Sequence, residues 1–507
     1  MSEAPPPPPP AAAVLEIGER LAEAPSKDLT TIAFSRELKA QLGLARAIGW
    51  VDLAHALSFA KAGLIPRASA RSLIVALLEL SAAPSSFAPN AECGDLYTNR
   101  EAWLAQRTPA AGWLGLARAR REALTTAYHL VLCDELLDLG EALTAFVEIL
   151  CEASLRHRES LAPDYTYLQA AQPTTFGHYL QSFAWPALRD LDRLEGLYER
   201  VDRCPAGIGG VNGSAIARNR RELSERLGFR EPVRHARDAM WQADLAIEAA
   251  ALAVTAIVNL DRLCEDLMIF ATSEFGFVRL ADHHGRASKI MPQKRNPFAL
   301  AFVRGLANRL LGVQTQLAAT ARTPSAQMDN RLFAYEAAPD ALRSATDAVR
   351  LVNACVAEMQ FDEARALDAL RDRSVCASDL AERVMIATGT DHRSAHGVVG
   401  RLLRTLEEKG QCLAQATLGD LRGALRDVGL PVTGVTEELL RSALDPMVCV
   451  AARSDVGGAC SFEVRAMAET AADAARKVRE AVATKRAHRQ AALQRLHAEV
   501  EAFARGA

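Results

Sequence analysis

Three long stretches of helical pattern constrain the fold of this chain more than any other feature of its sequence. Residues 115–160 contain no proline and repeat apolar side chains at helical spacing, and residues 235–273 and 298–320 have the same pattern. Charged residues such as Asp261 and Glu265 interrupt the apolar runs, so none of the stretches is a membrane span. Long helices with broad apolar faces predict an all-α fold around a central bundle, and such faces often need a partner subunit.

Shifts in composition predict four regions along the chain. Shorter helices broken by prolines precede the long stretches, and shorter helices separated by glycine turns follow them. A proline run near the start should stay extended and disordered. We therefore expect a Pro/Ala-rich tail at 1–13, an N-terminal helical domain at 14–114, a central long-helix bundle domain at 115–363 and a C-terminal helical domain at 364–507.

Composition excludes several classes of function. The formal net charge of the 507 residues is −3, which gives no electrostatic case for nucleic-acid binding. The ten cysteines are scattered without a CxxC pair, and no signal peptide is apparent, so we expect reduced thiols in a cytoplasmic protein. No cofactor is indicated. The adjacent His283 and His284 are expected to point apart, so we expect no metal site.

Residues 288–297, Ser-Lys-Ile-Met-Pro-Gln-Lys-Arg-Asn-Pro, place a hydroxyl, an ammonium and a carboxamide close together. Asn296 is predicted to cap the helix over 298–320, with Pro297 as its first residue. The backbone N–H groups of a helix start and the charge of Lys294 favour an anion. A carboxylate is therefore the natural ligand, and Ser288 would lie beside it.

This segment resembles the signature of the fumarase/aspartase superfamily, Gly-Ser-Ser-x-Met-Pro-x-Lys-x-Asn-Pro. Ala287 stands in place of the glycine and Lys289 in place of the second serine. The positions that match are Ser288, Met291, Pro292, Lys294, Asn296 and Pro297.

Two further blocks resemble argininosuccinate lyases. Residues 163–180, taken alone, predict a polar loop that opens a helix after Pro173. They contain a match to Thr-His-Leu-Gln-x-Ala-Gln-Pro in which Tyr167 replaces the histidine. Residues 112–123 resemble the block with Gly-Arg-Ser-Arg-Asn-Asp-Gln. Arg118 and Arg120 match that block, and its Ser, Asn, Asp and Gln are replaced by Ala119, Arg121, Glu122 and Ala123. Asp52 lies where that family has a substrate-contacting serine.

The resemblance implies a three-domain, all-α fold in a homotetramer, with each active site built from blocks of three different subunits. It implies that Ser288 is the base that removes a proton from the substrate, and that Lys294 and Asn296 bind the neighbouring carboxylate of the substrate. Substrate binding is also assigned to Thr166, Gln169, Met291, Arg120 and Arg121. The family histidine pairs with a glutamate whose place here is taken by Ala301, so Tyr167, the leaving group or water would donate the proton.

Three interpretations remain open. The first is a carbon–nitrogen lyase that eliminates fumarate from an N-substituted aspartate by anti β-elimination, acting on a small dicarboxylate. The second is argininosuccinate lyase itself, and the third is a non-catalytic homologue that serves as a scaffold. Another chemistry of the superfamily, such as cycloisomerisation, is a minor alternative. The matching signature favours an enzyme, whereas the replaced His–Glu pair favours the scaffold.

Overall fold

The computed structural model describes residue 21 and residues 23–82, 87–323, 326–327 and 331–506, and over these residues the protein is helical almost throughout. The prediction of an all-α fold is confirmed. The predicted tail at 1–13 lies outside the described residues.

The N-terminal region consists of short helices that follow a π-helical turn at Leu29–Phe34 and precede a 3₁₀ segment at Pro109–Gly115. Its α-helices are α1 (Ser35–Gln41), α2 (Ala45–Lys61), α3 (Arg67–Ala82) and α4 (Leu96–Ala105).

The central region contains the long helices. They are α5 (Arg120–Arg156), α6 (Phe176–Val201), the short α7 (Arg220–Arg226) and α8 (Ala236–Trp241), then α9 (Asp244–Phe270), α10 (Phe298–Thr320) and α11 (Ala334–Glu358). The helices predicted within 115–160 and over 298–320 are confirmed. The helix predicted over 235–273 is divided, because Gln242 is extended and its side-chain amide contacts the buried ring of His129 at 3.1 Å.

The C-terminal region is α12 (Glu363–Asp368), α13 (Ala377–Thr388), α14 (His392–Glu408), α15 (Leu418–Asp427), α16 (Glu437–Ala443), α17 (Pro446–Ala452) and α18 (Ser461–Arg505). Buried apolar residues between Leu370 and Cys449 form a cluster separate from the main core.

The last helix, α18, belongs to the main core rather than to that cluster. It packs along α5 and α6, and its buried Ala468, Ala471 and Ala475 allow a close approach. A Cβ on Gly140 of α5 would lie 3.1 Å from Val482 of α18. The domain limits stay predictions, and this packing favours grouping α18 with the long helices.

Four two-stranded sheets connect the helices of the described residues. Strands β1 (Leu161–Thr166) and β2 (Gln169–Thr175) form an antiparallel hairpin between α5 and α6. The other pairs are β3 (Arg203–Cys204) with β4 (Glu231–Pro232), β5 (Val278–Arg279) with β8 (Gln360–Phe361), and β6 (Arg286–Ala287) with β7 (Arg295–Asn296). The segment after Pro163, predicted to be a loop, is therefore largely strand.

All ten cysteines are free thiols and all except Cys412 are buried, as expected for core residues. Among the described helices we find none with the length and hydropathy needed to cross a bilayer.

Gly177, at the start of α6, lies where the backbone is tightly packed at the hairpin end of the bundle. A Cβ on Gly177 would lie 2.4 Å from the carbonyl oxygen of Ser154 and 2.9 Å from the backbone of Arg158. Because backbone atoms cannot move aside as a side chain can, we expect Gly177→Ala to lower the free energy of unfolding by about 1–3 kcal/mol, measured by urea denaturation.

Gly196→Ala in the same helix is the matched control. Its nearest neighbours are the flexible guanidinium nitrogens of Arg200, at 3.5 Å or more, so added helix propensity should leave stability unchanged or raised by up to about 1 kcal/mol. Equal effects of the two substitutions would contradict the packing described.

Candidate active site

The signature segment forms a short hairpin. Arg286 pairs with Asn296 and Ala287 with Arg295, so residues 288–294 make the connecting loop. The loop lies directly before α10 and borders a cleft of about 420 Å³ that Lys294 and Asn296 help to line. The three residues predicted to act on a dicarboxylate thus lie on one small structural unit.

The hydroxyl oxygen of Ser288 is the focus of this loop. It accepts hydrogen bonds from the backbone N–H groups of Met291, at 3.0 Å, and Ile290, at 3.4 Å. The loop is closed further by a hydrogen bond from Lys294 N–H to the Met291 carbonyl, at 3.0 Å. Two N–H dipoles directed at one oxygen stabilise negative charge on it, which is what a serine needs to act as a base.

Asn296 does not cap the helix, so that prediction is wrong. The N-cap position belongs to Pro297, whose carbonyl accepts the first helical hydrogen bond from Ala301. The side chain of Asn296 instead donates to the Arg286 carbonyl at 2.9 Å, because the strand pairing places the two residues opposite each other. Asn296 therefore holds the base of the loop closed.

The second block lies at the tip of the β1–β2 hairpin. Thr166 and Gln169 pair across the turn, and Tyr167 and Leu168 occupy its two central positions with φ of 54° and 56°. Positive φ at both positions is typical of a type I′ turn, which normally takes Asn or Gly there. The Tyr167 side chain is 99% exposed. A strained tip that presents a tyrosine to solvent is the kind of feature that concentrates at functional sites.

The third block divides into a buried and a cleft-facing part. Arg118 is buried and forms an ion pair with Asp52 at 2.9 Å. Arg100 donates to the other oxygen of Asp52 at 2.6 and 2.9 Å. Asp52, which replaces the family serine, is thus held between two guanidinium groups. This network has no local signal in the sequence, because its three members are distant in the chain.

Arg120 and Arg121 lie at the start of α5 beside a cleft of about 240 Å³. Arg120 forms an ion pair with Asp95 at 3.5 Å, and the guanidinium of Arg121 lies 4.4 Å from the Trp241 ring. Two further lining residues, Arg331 and Tyr335, had no signal in the sequence, because they come from the turn before α11 and from its first turn. Burial lowers the pKa of Arg121, and the charge of Arg331 acts in the same direction. An anion in the cleft would offset both effects.

Glu122 does not face this cleft. Its carboxylate is buried and accepts a hydrogen bond from the Gly207 N–H at 2.7 Å. Burial raises its pKa to about 7. The replacement of the family aspartate by Glu122 therefore lies inside the protomer. At the cleft, the charge differs from that of the family block because Arg121 replaces an asparagine.

The three blocks do not meet within one protomer. Arg120 begins α5, and the hairpin follows the end of that helix, which has 37 residues and a length of about 55 Å. The end of α9 lines both the hairpin cleft and the signature-loop cleft, so those two blocks share the far end of the bundle. The arginine cleft lies at the opposite end.

The expectation that His283 and His284 point apart is also wrong. Their rings lie 4.2 Å apart between centroids, and both direct Nε2 toward the carboxylate of Glu358. The 3₁₀ turn at Asp282–His284 and the tilt between the rings allow this convergence.

Comparison with known proteins identifies the family of this chain. A family model described as "Lyase" matches residues 54–312, and one described as "Argininosuccinate lyase C-terminal" matches residues 374–451. The argininosuccinate lyase of Methanothrix thermoacetophila is 32% identical over 486 residues, which are 94% of this chain and 97% of the relative. This chain belongs to the argininosuccinate lyase family of the fumarase/aspartase superfamily.

Other relatives extend the comparison. The argininosuccinate lyase of Halorhodospira halophila is 32% identical over 89% of this chain and 96% of its own length. An EDDS lyase variant solved with bound fumarate has a TM-score of 0.84 at 24% identity, covering 96% of this chain and 97% of its own. The class II fumarase of Schistosoma mansoni has a TM-score of 0.67 at 14% identity, covering 81% and 90%. These two structures show that the fold is that of the superfamily.

The ion pairs of Asp52 allow a prediction of how the stability changes when the family serine is restored. Asp52→Ser would leave Arg100 and Arg118 buried without their carboxylate, so we expect the free energy of unfolding in urea to fall by about 3–5 kcal/mol. Glu469→Gln, which breaks the exposed Arg465–Glu469 pair, is the control and should change stability little. Similar small losses in both variants would show that the buried network does not stabilise the fold.

Proposed function

We propose that this protein is a carbon–nitrogen lyase that eliminates fumarate from an N-substituted aspartate. The observation that carries the proposal is the Ser288 hydroxyl, which receives two backbone N–H groups on the same loop that presents Lys294. The names of the relatives, argininosuccinate lyase and EDDS lyase, support the same reaction class. We further propose a cytoplasmic enzyme that needs no cofactor for this reaction.

In the proposed step Ser288, as its alkoxide, removes a proton from the β-carbon of the aspartate, which lies between the side-chain carboxylate and the carbon that bears the nitrogen. The electron pair of that C–H bond first stays on the carbon and its carboxylate as a doubly charged intermediate, and it then forms the double bond of fumarate as the C–N bond breaks. The nitrogen leaves with its electron pair and takes up a proton, giving a free amine. The N–H groups of Met291 and Ile290 stabilise the alkoxide before the step, which lowers the cost of forming it.

Lys294 and Asn296 are proposed to bind the carboxylate beside the reacting carbon. Ionisation of that carbon places a second negative charge next to the carboxylate, so a nearby ammonium stabilises the intermediate more than the substrate. The Asn296 amide group has two N–H bonds, of which one is used by the Arg286 carbonyl. The other can donate to substrate while the hairpin remains closed.

The first turn of α10 favours an apolar substituent on the leaving nitrogen. Phe298, Ala301 and Phe302 share one helix face at spacings of three and four, and both aromatic rings are exposed. The guanidinium of Arg286 lies 3.5 Å from the Phe298 ring. Ala301 occupies the place that the resemblance assigns to the glutamate partner of the histidine, so a carboxylate is replaced there by an apolar side chain.

A complete site is proposed to form in a homotetramer. The arginine cleft at one end of α5 and the Ser288 loop at the other can meet only if a second chain runs alongside in the opposite direction. Thr166, Tyr167 and Gln169 on the hairpin tip would close the site, with Tyr167 as the proposed proton donor to the leaving nitrogen.

A fumarate absorbance assay tests the proposal. The purified protein would be offered N-benzyl-, N-cyclohexyl- and N-aminoethyl-aspartate together with argininosuccinate. We expect fumarate from the apolar substrates at a higher kcat/KM than from argininosuccinate. Ser288→Ala should lower kcat by about 100- to 10,000-fold, since it removes the general base.

Ser273→Ala is the matched control, because it makes the same chemical change on an exposed turn outside the signature hairpin. Its turnover should equal that of the unchanged protein. Argininosuccinate turned over faster than every other substrate would assign the protein to argininosuccinate lyase itself and would refute the apolar preference. No fumarate from any substrate, in a correctly assembled oligomer, would refute the lyase.

A further inference from the structure

We propose that His283, His284 and Glu358 form a binding site for a divalent transition-metal ion of the Zn²⁺ class. The two histidines lie on the 3₁₀ turn that precedes β6, and Glu358 is the last residue of α11. The site is outside the residues to which the elimination was assigned, and it does not depend on that proposal.

The distances within the cluster suit a metal ion. The Nε2 atom of His283 lies 2.8 Å from Oε2 of Glu358, and that of His284 lies 3.7 Å from the same oxygen. All three potential ligand atoms lie within 4.8 Å of one another. Two ligands bound at about 2.1 Å in a tetrahedral site are about 3.4 Å apart, a value between the two observed distances.

The Nε2 atom of His284 is the strongest indication that the cluster has a ligand. The His284 side chain is only 8% exposed, and its Nε2 atom is buried and makes no hydrogen bond among the described residues. A buried polar atom without a partner costs about 1–3 kcal/mol. This Nε2 atom lies 3.7 Å from Oε2 of Glu358, which is too long for a hydrogen bond, so a metal ion between the two atoms would satisfy both.

The chemistry of the cluster selects the metal. Two imidazole nitrogens and one carboxylate oxygen are typical ligands of Zn²⁺ and its neighbours, whereas Ca²⁺ and Mg²⁺ require mostly oxygen. His283 is 66% exposed, so water can complete the coordination from the solvent side. The bound ion would join the end of α11 to the segment that leads into the Ser288 hairpin, and would therefore stabilise the base of that loop.

Isothermal titration of the full-length protein with ZnCl₂ tests the proposal, after chelator treatment and dialysis. We expect one Zn²⁺ per chain. Glu358→Gln and His283→Gln alter exposed side chains, so both variants should fold. Each should weaken binding by at least about 100-fold, because loss of a group that only hydrogen-bonds a metal ligand already costs roughly 10- to 100-fold. Zn²⁺ should raise the thermal midpoint of the unchanged protein and not that of Glu358→Gln.

A second pair of histidines that could bind Zn²⁺ provides the control. His392 and His396 are exposed one turn apart on α14, with ring centroids 6.2 Å apart. The double variant His392→Gln/His396→Gln should bind Zn²⁺ as the unchanged protein does. The proposal is overturned if the unchanged protein binds no Zn²⁺, or if binding is lost in this double variant and retained in Glu358→Gln.

Discussion

The length of α5 is the constraint on which the rest of this structure depends. Its 37 residues span about 55 Å and pack against α6, α11 and α18. The helix carries Arg120 and Arg121 at its start and is followed by the Tyr167 hairpin at its end. No side chain bridges such a distance, so the two ends must belong to different sites. In the proposed homotetramer, antiparallel association of long helices from several chains would bring the two ends together.

Local geometry then prepares each end for chemistry. At one end the short β6–β7 sheet closes the loop, and backbone N–H groups of the loop donate hydrogen bonds to the Ser288 oxygen. On the hairpin, Tyr167 and Leu168 adopt positive φ, which costs of order 1–3 kcal/mol at each position. The hairpin tolerates that strain because Tyr165 is packed among Phe270, Phe275 and Phe277. At the other end, Asp52 pairs with Arg118 and Arg100 inside the protomer, whereas Arg120 and Arg121 line the cleft.

The sequence predicted the elements governed by local periodicity and missed those governed by distant contacts. The helix at 298–320 follows from its apolar spacing, whereas α5 begins at Arg120 rather than near 115 because Pro109–Gly115 is 3₁₀ and Ala117 has positive φ. The loop bearing Ser288 and Lys294 could be found from its motif. The role of Asn296, by contrast, depends on a cross-strand carbonyl, and the convergence of His283 and His284 depends on Glu358 at the end of another helix. Such pairings have no local signal.

Mixed oligomers of two inactive variants test the central claim most directly. Ser288→Ala and Arg121→Ala chains with different affinity tags would be co-expressed and purified through both tags, and fumarate formation would be measured. If sites are shared between chains, the mixed oligomer should recover activity that neither variant has alone. Ser288→Ala mixed with Lys294→Ala should recover none, because both changes affect the same loop. A mixed Ser288→Ala and Arg121→Ala oligomer that stays as inactive as its parents would contradict the account.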